Sequence, residues 1–323
     1  MRDAFSPTNC RTNGIFCIVG AALFLTANDS IIKWLSPSYP LHEIVLVRAV
    51  VALVLTLLFV QLEGGLHLLR TRRPALHFLR GLLIVIANMA FFLALASMPL
   101  AEATALFFVN PLFIMLLSVP ILGERVGLKR WLAMLAGLAG VVIMLRPGFG
   151  VGNWVTLLPL VAALTYASMQ MLTRRLGVID KASTLAFYIQ LTFVLISAAI
   201  GLAVGDGHYD DGQNTTLEFL FRAWTWPTLS DAGLMALCGC LVAAGGYLLS
   251  QAYRISEASV VAPFEYTSLP LALFWGLLIW GDLPDVIAFL GISLIVGSGL
   301  FVFYRETLHA RRAAGYAPKL SRR

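Results

Sequence analysis

The chain has 323 residues, 59% of them hydrophobic and only 12% charged, with a formal net charge of +6 and a mean hydropathy of +0.84. Those values lie far outside the soluble globular range and indicate an integral membrane protein. The positive excess gathers in short connections and a basic C-terminal tail. It suits anionic lipid better than nucleic acid, for which the chain carries no recognisable reader.

Crossing a hydrocarbon core about 30 Å thick takes about 20 apolar residues. In chain order, such runs lie near residues 14–35, 42–62, 77–97, 100–121, 128–146, 152–174, 182–205, 231–254, 257–280 and 284–304. Alternate connections carry the basic residues Arg70, Arg73, Lys129, Arg130, Arg174, Arg175 and Arg254. Short cytoplasmic loops retain Lys and Arg, so these connections and both termini are predicted to be cytoplasmic. The opposite connections are nearly free of basic charge, and the acidic, aromatic 206–230 loop is predicted to lie outside.

Two stretches resemble each other, EATALFFVNPLFIMLLSVPILGE from Glu102 to Glu124 and EASVVAPFEYTSLPLALFWGLLIWGD from Glu257 to Asp282. Each precedes one last apolar segment, so the chain divides into two five-span halves. An odd number of spans makes the second half enter the membrane in the opposite sense. The expected fold is therefore all-α, ten transmembrane helices in two inverted five-helix repeats, at 1–146 and 151–304, followed by a basic cytoplasmic tail at 305–323. Inverted repeats are a recurring plan of secondary transporters, with the solute site near the midplane between the halves.

The Glu102 to Gly123-Glu124 block, with Asn110-Pro111 inside it, resembles the drug/metabolite transporter superfamily, and within it the EamA type. The partner block to Gly281-Asp282 and the end of the sixth span at Thr173-Arg174-Arg175-Leu176 carry the same resemblance. It implies a ten-span carrier built from two repeats. TANDSIIKW (Thr26 to Trp34) and APFEYTSLP (Ala262 to Pro270) also resemble a bacterial branch that includes S-adenosylmethionine carriers.

Charged groups at bilayer depth are costly and are functional candidates by default. Asp29 and Lys33 are one turn apart on one face of the first span, where they can form an internal ion pair or serve a solute or proton role. Alternatively they sit near the outer helix end, where Lys33 snorkels and Asp29 balances it. Arg48 lies about two turns into the second span, where its planar fork suits a carboxylate; a structural pair with Asp29 is the alternative. Glu265 in the ninth span lies between Pro263 and Pro270, opposite Asn110 by repeat alignment. It is a candidate for a cationic amine or a coupling proton, or else a buried acid bonded to a neighbouring helix. Tyr166, Gln170, Tyr188, Tyr266 and Trp275 complete the predicted lining; Asn88, Gln190, Tyr247 and Gln251 are further polar candidates. Glu102, Glu124, Glu257 and Asp282 read as helix-end residues. Small residues of the fifth and tenth spans, among them Gly137, Gly140, Gly291 and Gly297, suit close helix contact or a homodimer surface.

No phosphate loop for ATP, metal-protease pair or nucleophile elbow is present, so no cofactor, metal or catalytic residue is predicted. The sequence thus indicates a secondary active transporter in a bacterial-type cytoplasmic (inner) membrane, with a small-molecule solute and membrane lipids as partners. A small polar metabolite is expected, an amino acid or an S-adenosylmethionine-like derivative. The alternatives are a broad-range exporter, a riboflavin-like vitamin carrier and, remotely, an intramembrane enzyme.

Overall fold

The computed structural model describes residues 7–71, 73–122, 128–145, 154–176, 182–210, 215–255 and 262–315. Glu124 and Glu257 lie outside these residues, as does the end of the basic tail. Every regular element among them is helical. The first half holds α1 (Pro7–Leu35), α2 (Leu41–Glu63), α3 (Pro74–Leu95), α4 (Leu100–Phe107), α5 (Asn110–Leu122) and α6 (Leu128–Leu145). The second holds α7 (Leu158–Leu176), α8 (Ala182–Val204), a short α9 (Thr215–Phe221), α10 (Leu229–Ile255), α11 (Ser268–Trp280) and α12 (Val286–Gly315).

Among the described residues six helical segments are long and apolar enough to cross a membrane, at Asn13–Leu35, Leu41–Leu62, Pro74–Leu95, Trp154–Leu172, Ala186–Val204 and Leu229–Leu249. Bare apolar side chains stand on their outer faces, with Leu62 76%, Leu202 91% and Leu229 93% exposed. Apolar surface on that scale belongs against lipid. The protein is a multi-pass membrane protein.

The fourth and ninth apolar runs are broken. α4 stops at Phe107, residues 108–109 turn, and α5 starts at Asn110, whose successor Pro111 cannot donate a backbone hydrogen bond. The ninth run begins as a 3-10 helix, Ala262–Thr267, before α11 takes over, with Pro270 just inside α11. Proline in each run explains why the helices reset there. The last helix passes the expected boundary at 304 and continues to Gly315, so the tail begins as helix. Its Arg-Glu-Thr-Leu-His-Ala-Arg-Arg-Ala-Ala sequence is rich in good helix formers.

Local signals fix several ends. Thr228 Oγ1 accepts the Asp231 N–H at 3.2 Å and caps α10, and Asp285 Oδ1 accepts the Ala288 N–H at 2.9 Å ahead of α12. Gly281 closes α11 at φ 71°, a left-handed conformation that other residues adopt at a penalty.

The halves interleave. α1 packs on α10 and α3 on α7; α2 lies against both α8 and α10, and α8 also touches α3. α11 lies against α1, α4 and α5 lie against α7, and α6 pairs with α12. That last pairing is close because a Cβ on Gly140 would stand 2.8 Å from the Gly291 carbonyl oxygen, and one on Gly137 would overlap Leu112 and Ser298. Small residues here serve contact within one chain. A Cβ on Gly297 would point into open space.

Candidate functional site

At one end of the molecule the segments 36–40, 96–99, 205–210, 215–228 and 281–285 are tied together. Lys33 Nζ donates to the Met98 carbonyl at 2.7 Å, stands 3.7 Å from Asp282 Oδ2 and lies 5.0 Å over the Trp280 ring. It therefore pairs with the far end of α11 and not with Asp29 one turn away. Lysine's long stem lets its ammonium reach that end, where it escapes the apolar interior. Tyr39 donates to Asp231 at 2.7 Å, Ser97 and Thr216 share a bond of 2.7 Å, and Arg222 reaches the Ser36 carbonyl at 3.0 Å. The Thr225 N–H donates to Glu43 at 3.3 Å. We call this the loop end. An apolar groove beside it is lined by Leu46, Ala198, Gly201, Leu202 and Trp224 and holds none of the predicted site residues.

The interior differs. Arg48 is 2% exposed, with its guanidinium 5.1 Å from the Phe92 ring of α3 and 5.3 Å from the Phe193 ring of α8. Among the described residues it has no ion pair, and its Nε is buried without a hydrogen-bond partner. Asp29 is close enough to act on it electrostatically but takes its own bond from Asn28 Nδ2 at 3.0 Å. Asn28 Oδ1 is buried and unpartnered, and the Cys238 thiol lies 3.9 Å from the Asn28 carbonyl. Arg48 is thus flanked by the negative faces of two rings and left with an open donor.

From Phe92 a run of rings leads away from Arg48. Phe92 touches Phe91 at 5.9 Å between centroids, Phe91 touches Phe107 at 5.5 Å, and Phe107 meets Tyr166 edge-on at 5.5 Å. A branch passes from Phe107 through Phe108 to Tyr266, at 6.3 and 4.9 Å. Phe107 and Phe108 belong to the break between α4 and α5, and Tyr266 to the 3-10 start of the ninth run, so both helix breaks supply rings to one wall. Tyr166 accepts a bond from Gln170 Nε2 at 3.1 Å and lies in the electrostatic reach of Glu265 and of Arg80. Tyr266 Oη and Trp275 Nε1 are buried without partners. Asn110 is buried at the start of α5, behind Phe107 and Phe108 in sequence.

The structure therefore gathers Tyr166, Gln170, Tyr266 and Glu265 around the two helix breaks. Arg48 and Asp29 stand at the other end of the ring run. Tyr188 is placed elsewhere: its hydroxyl donates to the Leu69 carbonyl at 2.9 Å and its ring stacks on His77 at 4.8 Å, anchoring the turn at 64–73, opposite the loop end. Asn88 Nδ2 bonds back to the Ile84 carbonyl of its own helix at 3.1 Å. Sequence reasoning missed Arg80, 9% exposed on α3 with its Nε also buried and unpartnered. The rule that selected Arg48, a cation well inside an apolar run, applies equally to it.

Residues 12–146 match the EamA-like transporter family. The chain is 31% identical over 307 residues to a riboflavin transporter of Vibrio cholerae, covering 94% of this chain and 97% of that protein. It is 25% identical over 294 residues to an S-adenosylmethionine uptake transporter of Rickettsia prowazekii, covering 91% and 93%. A solved crystal structure shares the fold with a TM-score of 0.61 over 95% of this chain and 99% of that one, at 20% identity.

Proposed function

The chain belongs to the EamA-like transporter family of the drug/metabolite transporter superfamily, and from that premise we propose that it is a secondary carrier of an elongated heteroaromatic metabolite of the riboflavin kind. The observation that carries this reading is the ring run from Phe92 to Tyr166 and Tyr266, with open buried donors on Arg48 at one end and Tyr266 at the other. Rings offer a stacking wall to a planar solute, and unpartnered donors in a dry interior favour its carbonyl and hydroxyl groups. The similarity to a riboflavin transporter over nearly the whole chain supports the same choice.

A second reading, an S-adenosylmethionine-like solute, is favoured by the carboxyl groups. Asp29 beside Arg48 and Glu265 beside Tyr166 would match an amine and a sulfonium, with the adenine on the same rings. Both solutes are elongated. A lone amino acid fits less well, because Phe92, against which Arg48 stacks, and Arg80, which is electrostatically coupled to Tyr166, stand about 18 Å apart along α3.

The carrier works by alternating access between two inverted halves at 1–146 and 151–304. The helix packing supports that symmetry. Exchanging α1 with α7, α2 with α8, α3 with α10, the broken fourth run with the ninth and α6 with α12 turns each principal pairing into another or into itself. α1 on α10 becomes α7 on α3, and α2 on α10 becomes α8 on α3. In this reading the loop end faces outward from a bacterial inner membrane and is the closed gate. Asp29 and Glu265 are the candidate proton carriers.

Counterflow into proteoliposomes tests the proposal, with labelled riboflavin and labelled S-adenosylmethionine measured in parallel. Saturable riboflavin exchange supports the first reading, and exchange of S-adenosylmethionine alone selects the second. Correctly inserted wild-type protein that exchanges neither sinks both. Should exchange occur, Glu265→Gln is expected to keep counterflow while losing acceleration by a pH gradient. Acceleration that persists would remove Glu265 as the proton carrier.

A further inference from the structure

We propose that Arg80, with Tyr166 and Gln170, forms a second solute station on the far side of the ring run from Arg48, taking a carbonyl-rich or anionic group of the solute. The proposal rests on the carrier reading above and adds to it a residue that holds solute from one side of the membrane only.

Arg80 is 9% exposed on a membrane-spanning helix, and among the described residues no carboxylate forms an ion pair with it. Its Nε lacks a hydrogen-bond partner. Such a group is retained where something else fills its donors for part of the time. Its position is rigid, because the next residue, Gly81, sits so close to Thr192 of α8 that a Cβ there would overlap the threonine side chain. α3 packs on α7, where Tyr166, electrostatically coupled to Arg80, already accepts from Gln170, which leaves the tyrosine proton free to donate. A guanidinium edge and a phenol proton together recognise adjacent acceptors on a planar ring or a carboxylate.

The level matters as much as the chemistry. Arg80 lies near the α3 start, by the 64–73 turn, whereas Phe92 carries Arg48 toward the loop end, about 18 Å of helix away. A solute arriving from the loop end therefore meets Arg48 first, and one arriving from the opposite end meets Arg80 first.

The test is half-saturation for labelled riboflavin, measured separately from each face in right-side-out and inverted vesicles carrying the full chain. Arg80→Gln should raise it about tenfold or more from the face of the 64–73 turn and at most about twofold from the loop face. Arg48→Gln should show the reverse, and Arg80→Lys should recover part of the loss. A change of equal size on both faces, or none on either, overturns the inference. If Arg80→Gln does not insert, Tyr166→Phe keeps the ring packing and must show the same one-sided pattern. Wild-type vesicles that carry neither riboflavin nor S-adenosylmethionine would overturn the carrier reading and this station with it. Wild-type transport without the one-sided pattern overturns the station alone.

Discussion

The loop end and the interior use the same residue types in opposite ways. At the loop end Lys33, Tyr39, Arg222 and Asp231 each have a protein partner at 3.0 Å or closer, drawn mostly from a distant part of the chain. In the interior Arg48, Arg80, Tyr266 and Trp275 keep buried donors with none. His42 and one oxygen of Glu43 are the exceptions at the loop end. In the proposed carrier reading this difference sorts the polar residues: those satisfied by protein hold the shape, and those left open at depth hold the solute. A buried polar group left unmade costs more than a made one contributes, so the open set is retained only where it has a use.

The contrast breaks first at Arg48. Arg48→Gln should lower riboflavin counterflow by about a hundredfold, since a charged hydrogen bond to solute is lost, while the melting temperature in detergent stays within about 3 °C. A melting loss as steep as the transport loss would move Arg48 into the structural set. Gly140→Val should do the opposite. Overpacking against the Gly291 carbonyl costs about 1–3 kcal/mol and several degrees of melting temperature, with half-saturation of the folded fraction unchanged.

Loop-end variants should sharpen the comparison with smaller effects. Lys33→Ala removes the tie among α1, the Met98 turn and Asp282, and it should change the exchange rate by about two- to fivefold while half-saturation holds within about twofold. A large shift in half-saturation would place Lys33 among the solute contacts. Tyr39→Phe deletes the bonds with Asp231 and Thr228 and should lower stability by about 1 kcal/mol, read from thermal melting. The smallest effect belongs to His208, whose ring bonds to Asp206 and holds that exposed carboxyl below the usual carboxylate range. The contribution is fully present above the ordinary carboxylate pKa and is lost as pH falls from there through the lowered value of the folded protein. At neutral pH His208→Ala should leave the melting curve unmoved, because solvent screens the pair.

Much of this was legible in the sequence. Apolar run length placed the six long helices, whereas by that measure the fourth and ninth runs are unbroken spans, although the prolines beside Asn110 and Glu265, which interrupt them, stand in the sequence. Burial cost singled out Arg48 and Glu265. Side-chain reach was not legible: Lys33 could be read as a partner of Asp29 from spacing, yet its ammonium goes to Met98 and Asp282, which only the assembled fold brings near. Tyr188 and Asn88 failed to join the ring wall for the same reason, since a helix position does not say which neighbour its polar tip will find. The ring run itself was hidden because phenylalanines in an apolar segment look like ordinary packing until their centroids are measured.

The most direct measurement of the central claim, that the open interior donors hold the solute, is riboflavin protection of wild-type, Arg48→Gln and Lys33→Ala proteins against thermal unfolding in detergent. Wild-type and Lys33→Ala proteins should gain about 3 kcal/mol of stability at riboflavin about a hundredfold above its half-saturation concentration, and Arg48→Gln, its half-saturation raised about tenfold or more, should gain about half of that or less at the same concentration. Equal protection of all three would contradict the account, because the solute would then be held by groups other than those left open.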